Sequence, residues 1–380
     1  MTGTTITSGL ELRSLVTAAG RLEVSLVDVP VPTLGSDEVL VRIEAAPINP
    51  SDLGLLLGPA DVATIRAEGG AGRPKIVADV PSKRLIAIAA RLDESMPVGN
   101  EGAGTVIDAG ENARHLIGRT VAVLGGAMYA QYCVIRAGAC LVLPDGTTAR
   151  EGASAYVNPL TALSMVEVMR REGHTALVHT AAASNLGQML NRICIADGVP
   201  LVNIVRSSAQ ADILREIGAA HVVDSTADGF LDTLTDALEA TGATLAFDAV
   251  GGGQLAGQII GCMEAALLRK PGAYSRYGSP VQKQVYIYGV LDMAETRIGR
   301  NVGMAWGIGG FLLTYFLAQI APADAKRMRQ RVADELTTTF ASRYTAEISL
   351  TDALKPEVLA AYARRATGEK YLINPTLDQG

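Results

Sequence analysis

The chain has 380 residues, of which 48% are hydrophobic and 19% charged, and its formal net charge is −6. This length exceeds one compact core and predicts two domains, and the composition excludes a disordered chain. The negative charge argues against a general nucleic-acid binder, because no basic surplus is present to neutralise phosphates.

The cysteines and the N-terminus indicate the compartment. The cysteines show no C-x-x-C spacing, which predicts small buried thiols in a reducing environment. The first residues have no basic flank or apolar core, so no signal peptide is predicted. We therefore expect a cytoplasmic protein that binds neither nucleic acid nor a membrane. The four cysteines are Cys133, Cys140, Cys194 and Cys262.

The first part of the chain reads as β-structure. Apolar residues alternate over 38–44, and short apolar runs at 105–108, 120–124 and 129–136 are separated by glycine and proline. Frequent short strands with turn signals between them predict a small barrel.

Residues 175–224 predict one complete βαβ unit. An apolar run enters a loop of small residues at 181–187, a helical pattern follows, and a second apolar run at 201–205 ends at Arg206. The loop matches the G-x-G-x-x-G pattern only in part, because its three glycine positions are Ala182, Ser184 and Gly187. Gly187 still allows close packing of the helix, and the small side chains let phosphate oxygens reach the helix amides. A purely structural turn is the alternative.

Arg206 indicates which dinucleotide this unit prefers. It lies about 20 residues past the loop, where such folds place the residue that meets the adenosine ribose. An acidic residue there suits the free hydroxyl of NAD, whereas a guanidinium grips a 2′-phosphate. The sequence therefore predicts NADPH as cofactor.

Strand and helix patterns alternate up to residue 289, which predicts a parallel, doubly wound sheet. The uncharged segment 302–323 is long enough for a membrane span, but four glycines in its first half weaken a single helix. We expect a buried strand and loop there, followed by a helix from about Phe311. The segment is also suited to contact a partner subunit.

Eight motifs in order resemble the medium-chain dehydrogenase/reductase superfamily, and within it the zinc-independent quinone oxidoreductases and enoyl thioester reductases. They include Ile48-Asn-Pro-Ser-Asp52, Gly99-Asn-Glu-Gly-Ala-Gly104 and Val157-Asn-Pro-Leu-Thr-Ala162, with further matches at 129–132, 181–187, 217–221, 247–251 and 288–289. The resemblance implies an α/β protein with a GroES-like β-barrel catalytic domain and a Rossmann domain. The implied boundaries are 1–155 for the catalytic domain, 156–312 for the NADP-binding domain and 313–380 for a return to the first. It also implies an active site in the cleft and a homodimer.

Asparagines stand where the zinc-binding members of that superfamily hold their metal. They are Asn49, Asn100 and Asn158, and asparagine lacks the thiolate charge or imidazole nitrogen that zinc prefers. The four-cysteine lobe for structural zinc is also missing. We therefore predict no metal, and a hydride transfer to an acceptor that is already electrophilic.

The resemblance implies the site residues one by one. Asn49 would orient the nicotinamide or the substrate, although an asparagine before proline also serves turns. The tyrosine expected as proton donor is absent, because the matching position falls at Pro59 and Ala60. Tyr129 is a substitute candidate, with strand packing as its alternative role. The implied cofactor contacts are Asn158, Thr180, Ser184, Asn185, Gly187, Arg206, Tyr288, Gly289, Phe311, Leu313 and Lys370.

These features predict an NADPH-dependent reductase of quinones or related enones, which are small-molecule substrates. An enoyl thioester reductase is the first alternative, and a low-turnover NADPH-binding sensor is the second. The stretch 61–96 contains more residues than the corresponding stretch of common relatives. We expect this insertion to shape the substrate site.

Overall fold

The computed structural model describes residues 6–70, 73–272, 274–364 and 369–378. The chain divides into two compact units: unit one is Met1–Val157 with Arg329–Gly380, and unit two is Asn158–Met328. The boundaries predicted from the sequence fall after residues 155 and 312.

The second division lies 16 residues after the predicted boundary, since residues 313–328 fall in unit two. Two contacts explain this. The ring of Phe316 packs 6.0 Å from that of Phe311, which lies edge-on to Phe247. The Asp324 carboxylate pairs with Arg171 at 2.7 Å. Apolar and ionic contacts therefore both attach this stretch to unit two.

The elements before residue 157 belong to unit one. Its strands and helices are β1 (Ser8–Val16), β2 (Arg21–Pro30), β3 (Glu38–Pro47), α1 (Pro50–Leu56), β4 (Arg66–Gly70), β5 (Arg73–Asp79), α2 (Ser82–Leu85), β6 (Ser95–Pro97), β7 (Glu101–Ala109), β8 (Thr120–Leu124), β9 (Tyr132–Arg136), β10 (Leu141–Val142) and α3 (Ala149–Gly152).

The elements of unit two follow, and the last three named here return to unit one. They are α4 (Val157–Arg171), β11 (Leu177–His179), α5 (Asn185–Asp197), β12 (Leu201–Val205), α6 (Ser208–Ile217), β13 (His221–Asp224), α7 (Phe230–Thr241), β14 (Leu245–Asp248), β15 (Gly251–Gly253), α8 (Leu255–Leu268), β16 (Lys283–Ile287), β17 (Asp292–Thr296), β18 (Trp306–Gly310), α9 (Leu313–Gln319), α10 (Pro322–Asp334), β19 (Ala346–Ile348), α11 (Pro356–Ala363) and β20 (Tyr371–Ile373).

Unit one is built from two sheets. The first has the order β4-β5-β2-β1-β6, and the second has the order β10-β8-β7-β3-β20-β19 with β9 also paired to β3. A bridge between Glu11 and Ala130 joins the two sheets. In β2, Leu22 and Val24 are fully buried, whereas Arg21 and Glu23 are only partly covered. This alternation places one face of the strand on the core.

The predicted insertion extends the first sheet. Strands β4 and β5 form an antiparallel hairpin, and β5 pairs with β2. The hairpin carries cross-strand ion pairs, among them Arg21 with Glu68 and Lys75 with Glu23. Arg91, at the end of the insertion, donates to the Leu55 carbonyl at the C-terminal end of α1.

Unit two contains the predicted parallel sheet, in the order β13-β12-β11-β14-β16-β18. Val202 and Ile204 of β12 pack with residues of α7 and α8. Val205, on the opposite face, packs with Ala211 and Leu214 of α6. Helices therefore cover both faces, and the predicted α/β fold with a doubly wound Rossmann-like sheet and a GroES-like antiparallel part is confirmed.

The apolar segment 302–323 forms edge strand β18 and helix α9, as the glycines indicated. The strand is half-buried instead of fully buried, because β16 covers only one of its edges. None of the helices in the ranges described above is long and apolar enough to cross a membrane.

Candidate functional site

The small-residue loop of unit two has tight geometry. Ala181 adopts a φ of +50°, which is uncommon outside glycine. The Ser184 hydroxyl caps α5 by accepting from the Gly187 amide at 3.1 Å. A β-carbon on Gly187 would lie 2.1 Å from the Ala182 carbonyl oxygen, so only glycine fits. Asn185, the first residue of α5, is partly exposed beside this loop.

Thr180 is fully buried at the end of β11. Its hydroxyl donates to Asp248 Oδ1 at 2.7 Å and accepts from the Ala249 amide at 2.8 Å. These bonds join the ends of β11 and β14. The donor of this predicted cofactor contact is therefore already used within the protein.

Arg206 directly follows β12 and is exposed. Its backbone amide donates to Gln210 Oε1 at 3.1 Å. Within the part of the chain that the structure describes, its guanidinium has no acidic partner, unlike Arg215, which pairs with Asp212. The charge of Arg206 is therefore free to meet an anion.

Tyr288 follows β16 and contacts a histidine at the end of β11. Its hydroxyl lies 2.7 Å from His179 Nε2, and the two rings stack at 5.7 Å. Burial lowers the pKa of His179 to about 3, so this imidazole stays neutral at physiological pH. Beside it, a β-carbon on Gly289 would meet the Ala249 carbonyl oxygen at 2.6 Å. Thr180, Arg206 and Tyr288 thus all lie at the carboxyl edge of the sheet, where doubly wound folds bind ligands.

The remaining predicted contacts of unit two are placed differently. Phe311 packs against Phe247 at 5.2 Å, and Leu313 is buried at the start of α9. These positions favour a core role for both side chains. Asn158 is the second residue of α4 and is partly buried.

In unit one, Asn49 is buried at the start of α1. Its side-chain nitrogen donates to Glu101 Oε1 at 2.8 Å, and its backbone amide donates to Asp52 Oδ2 at 2.8 Å. The buried side-chain oxygen Oδ1 has no hydrogen-bond partner among the residues that the structure describes. This unpaired atom is an acceptor, so it fits an N–H or O–H group of a ligand and not a carbonyl oxygen.

Two buried carboxylates surround Asn49. Glu101 is fully buried, and its Oε2 accepts from the amides of Tyr156 and Val157 at 2.9 and 2.8 Å. Burial raises the pKa of Glu101, and the Lys370 charge and these hydrogen bonds oppose the rise. Asp52 Oδ1 accepts from the Asn100 amide at 2.8 Å, yet burial raises the pKa of Asp52 to about 6.

Lys370 supplies the positive charge of this cluster. Its ammonium donates to Ser154 Oγ at 2.7 Å and lies 5.6 Å above the Tyr344 ring. The Ser154 and Tyr344 hydroxyls are 2.9 Å apart. Burial lowers the pKa of Lys370 to about 8, while Glu101 and Asp52 act to raise it. Lys370 is therefore not the solvated charge that its neighbour Glu369 suggests.

Tyr129 is fully buried within the core of unit one. Its hydroxyl donates to the Pro47 carbonyl at 3.2 Å, and burial raises its pKa well above the usual range. A proton donor must reach the substrate, and this hydroxyl is enclosed by protein. The position of Tyr129 therefore favours its alternative role in strand packing.

Asn100 uses its side chain locally, donating to Ser51 Oγ at 3.1 Å. Among the described residues, no group of three or more histidine, cysteine, aspartate or glutamate side chains is arranged to hold a metal ion.

Four members of the unit-one cluster were not predicted as site residues: Asp52, Glu101, Ser154 and Tyr344. The first two lie inside motifs that carried the family resemblance, and acidic residues in otherwise apolar motifs are a usable signal. Ser154 and Tyr344 have no such signal, because 190 residues separate them in the chain.

Comparisons with known proteins agree with this fold. The chain is 27% identical to a protein from Mesorhizobium loti whose assignment as an NADPH:quinone reductase is itself provisional. That match covers 98% of this chain and 100% of the other, with a TM-score of 0.72. No family model matches the chain.

Among curated proteins, the chain is 27% identical over 233 residues to a zinc-type alcohol dehydrogenase-like protein from Schizosaccharomyces pombe, covering 58% of this chain and 61% of that protein. It is also 27% identical to the mitochondrial enoyl-[acyl-carrier-protein] reductase of Xenopus tropicalis, covering 52% and 51%. The matches thus span about half to three fifths of these curated relatives. The relatives and structural neighbours are medium-chain dehydrogenases/reductases, so the resemblance predicted from the sequence is confirmed.

Proposed function

We propose that the chain is an NADPH-dependent oxidoreductase that reduces quinones or other conjugated carbonyl compounds. The observation that carries this proposal is the carboxyl edge of the unit-two sheet, where Arg206 presents an unpaired guanidinium directly after β12. The solved structure at 27% identity, described as an NADPH:quinone reductase, supports the same cofactor and acceptor class.

The residues of this edge fit a dinucleotide phosphate. The loop has small side chains, Gly187 brings α5 against the Ala182 carbonyl, and Arg206 offers a planar, permanently charged donor group. Ser184, Asn185 and Gly187 would face the diphosphate, and Arg206 the 2′-phosphate. When bound, NADPH supplies a hydride to the acceptor.

Arg206→Ala tests the cofactor assignment. We expect the Kd for NADPH to rise about 10- to 100-fold, because a charge-assisted bond contributes roughly 1.5–3 kcal/mol. The Kd for NADH should stay within twofold. Arg215→Ala is the matched control, since Arg215 is also an exposed arginine of unit two, in the last turn of α6, but is paired with Asp212. Fluorescence titration of both nucleotides measures the effect, and equal losses for both would remove the 2′-phosphate argument.

An enoyl thioester reductase is the second candidate, favoured by the match to mitochondrial enoyl-[acyl-carrier-protein] reductases. Purified chain with NADPH would be offered 9,10-phenanthrenequinone, a simple enone and crotonyl-CoA while NADPH absorbance is followed. Turnover of the thioester alone would favour the second candidate. Tight NADPH binding without turnover of any acceptor would favour a sensor.

We also propose that the reaction is independent of zinc. The support is chemical: Asn49 and Asn100 use their side-chain nitrogens as donors to Glu101 and Ser51, an arrangement that offers no thiolate or imidazole to a metal. Full activity after treatment with a strong chelator is expected, and loss of activity that zinc restores would contradict it.

A homodimer is proposed from the exposed edge of unit two. Strand β18 pairs with β16 on one side, and its other edge has no strand partner among the described residues. Met304, Leu312 and Tyr315 near this edge are exposed. Pairing of two β18 strands across a two-fold axis would cover both the open strand edge and these exposed side chains. Light scattering at working concentration should give twice the mass of the chain, 39.6 kDa, and a monomer would contradict the proposal.

A further inference from the structure

Lys370 is the cation of the polar cluster of unit one, and it is suited to stabilise a reduced carbonyl. Negative charge that develops on a carbonyl oxygen needs a hydrogen-bond donor or a cation. Asn49 offers less, because one N–H of its side-chain nitrogen donates to Glu101 and the other is a neutral donor, which stabilises an oxyanion less than an ammonium does. The Tyr129 hydroxyl is also used, since it donates to the Pro47 carbonyl.

Lys370 lies next to Asn49 through the backbone ladder. Strand β20 pairs with β3, and the Ile48 amide donates to the Tyr371 carbonyl at 2.9 Å. Lys370 precedes Tyr371 and Asn49 follows Ile48, so the two residues lie beside each other next to this backbone hydrogen bond.

The Lys370 ammonium keeps donors to spare. It has three protons, and Ser154 Oγ accepts one of them. Neither Glu101 nor another acidic side chain in the described ranges forms a direct ion pair with it. Glu101 is instead saturated by Asn49 and by the Tyr156 and Val157 amides. An ammonium that is partly buried and incompletely bonded is able to bind an additional acceptor.

We propose that Lys370 is the catalytic electrophile and proton donor of unit one, acting on the carbonyl oxygen of the acceptor. This inference rests on the proposed function, because it requires a conjugated carbonyl substrate. It assigns Lys370 a role toward the substrate, in place of the cofactor contact that the family resemblance implies.

The proton balance is complete. When the acceptor gains a hydride, which NADPH would supply, its carbonyl oxygen becomes basic and would take one proton from the Lys370 ammonium. The product is an enol or a hydroquinone, and Lys370 is left as a neutral amine. Ser154 then passes a proton from the solvent side to that amine, with Tyr344 as the next hydroxyl in the chain.

The groups around Lys370 determine the pH range in which it can donate a proton. Glu101 and Asp52 act to raise its pKa, whereas burial lowers the pKa to about 8. Beyond Tyr344 lies the guanidinium of Arg150, which stands over the Tyr344 ring and pairs with Glu347. Because the donor must be protonated, we expect kcat/KM to fall as the pH rises through about 8.

Two substitutions at this position test the role. Lys370→Met should lower kcat/KM for the quinone or enone about 100-fold or more, as general-acid loss typically does. Lys370→Arg keeps a charge that can polarise the carbonyl but is too weak an acid to donate its proton, so kcat/KM should also fall, and its dependence on pH near 8 should disappear. The Kd for NADPH should stay within twofold in both variants. Lys355→Met is the control, because Lys355 is a surface lysine of unit one paired with Asp352, and it should change neither quantity.

A measurement without turnover checks the same residue. Competitive acetylation of the free chain with acetic anhydride, followed by mass spectrometry across pH, reports the pKa of Lys370 directly. We expect half-maximal reactivity near pH 8 for Lys370, well below that of Lys355.

The outcomes separate the two proposals. Absence of turnover by the natural chain on every conjugated carbonyl would overturn the proposed function and this inference with it. Turnover by the natural chain that Lys370→Met leaves intact would overturn the inference alone. The same holds if Lys370→Met weakens NADPH binding without lowering kcat, since Lys370 would then be a cofactor contact.

Discussion

Two lysines in the described part of the chain lie near buried glutamates, one in each unit, and they are bonded in opposite ways: Lys283 is fully buried and Lys370 is partly buried. In unit two, Lys283 lies 2.6 Å from Glu264 and also donates to the Val281 carbonyl. Glu264 in turn accepts from the Ser279 amide at 2.8 Å. In unit one, Lys370 donates to Ser154, and Glu101 bonds Asn49 and two backbone amides.

The comparison distinguishes a lysine that stabilises the fold, Lys283, from a lysine that is available for chemistry, Lys370. The Lys283–Glu264 pair is closed, with Lys283 fully inaccessible to solvent. It ties α8 to the first residue of β16, and β-carbons on Gly278 and Gly303 would collide with the Glu264 carboxylate. The Lys370 cluster keeps an unpaired acceptor on Asn49 and spare donors on the ammonium. An unsatisfied buried group is costly, so its retention beside a charge favours a ligand-binding role.

The largest effect that follows is on the closed pair. Lys283→Met should lower the free energy of unfolding by about 3–5 kcal/mol, because it leaves Glu264 buried without a counter-charge. Urea denaturation measures the change. The double variant Lys283→Met/Glu264→Gln should recover more than half of the loss, since it removes the orphaned charge and keeps an acceptor for Ser279. A loss below about 1 kcal/mol for Lys283→Met alone would show that Lys283 is not a structural ion-pair residue, and its contrast with Lys370 would fail.

Lys370→Met should affect stability less and with a distinct pH dependence. The folded-state pKa of Lys370 is lowered to about 8 from 10.5. Between these values the unfolded lysine holds its proton and the folded lysine does not, so the stability of the natural chain rises with pH across this window.

Lys370→Met removes that contribution. The free energy of unfolding of the natural chain minus that of the variant should therefore rise between pH 8 and 10, by on the order of 2 kcal/mol. Denaturant titrations at pH 7, 8, 9 and 10 give this difference. A difference that falls with pH would mean that a carboxylate partner holds the Lys370 proton, as in a closed ion pair.

The same contrast explains how much could be predicted from the sequence. The βαβ unit was predictable because its signals are local: period-two and helical patterns, a loop of small residues, and Arg206 at a set distance. Even the packing role of Gly187 follows from that spacing, and the 2.1 Å approach to Ala182 agrees with it.

The unit-one cluster depends on contacts that no local pattern reveals. Ser154 meets Lys370 across 216 residues, and Asn49 meets Glu101 across 52. The predicted boundary after residue 312 and the division after Met328 differ for a related reason, because ring contacts between Phe311 and Phe316 and the Asp324–Arg171 pair attach this stretch to unit two. Tyr129 shows the limit most clearly: a tyrosine in a strand motif gives no sign of whether its hydroxyl faces a ligand or a neighbouring carbonyl.

Tyr129→Phe gives the smallest effect and sharpens the division between packing and chemistry inside unit one. It removes one buried hydroxyl, which contacts the Pro47 carbonyl and the Asp52 carboxyl, so the free energy of unfolding should fall by about 0.5–1.5 kcal/mol. If Lys370 is the donor, kcat/KM and its fall near pH 8 should remain within twofold of the natural chain. Urea denaturation and a pH series on a quinone measure both quantities. A loss of 100-fold or more in kcat with unchanged stability would instead return the donor role to Tyr129, because removal of a mere packing hydroxyl cannot change the chemistry without changing the fold.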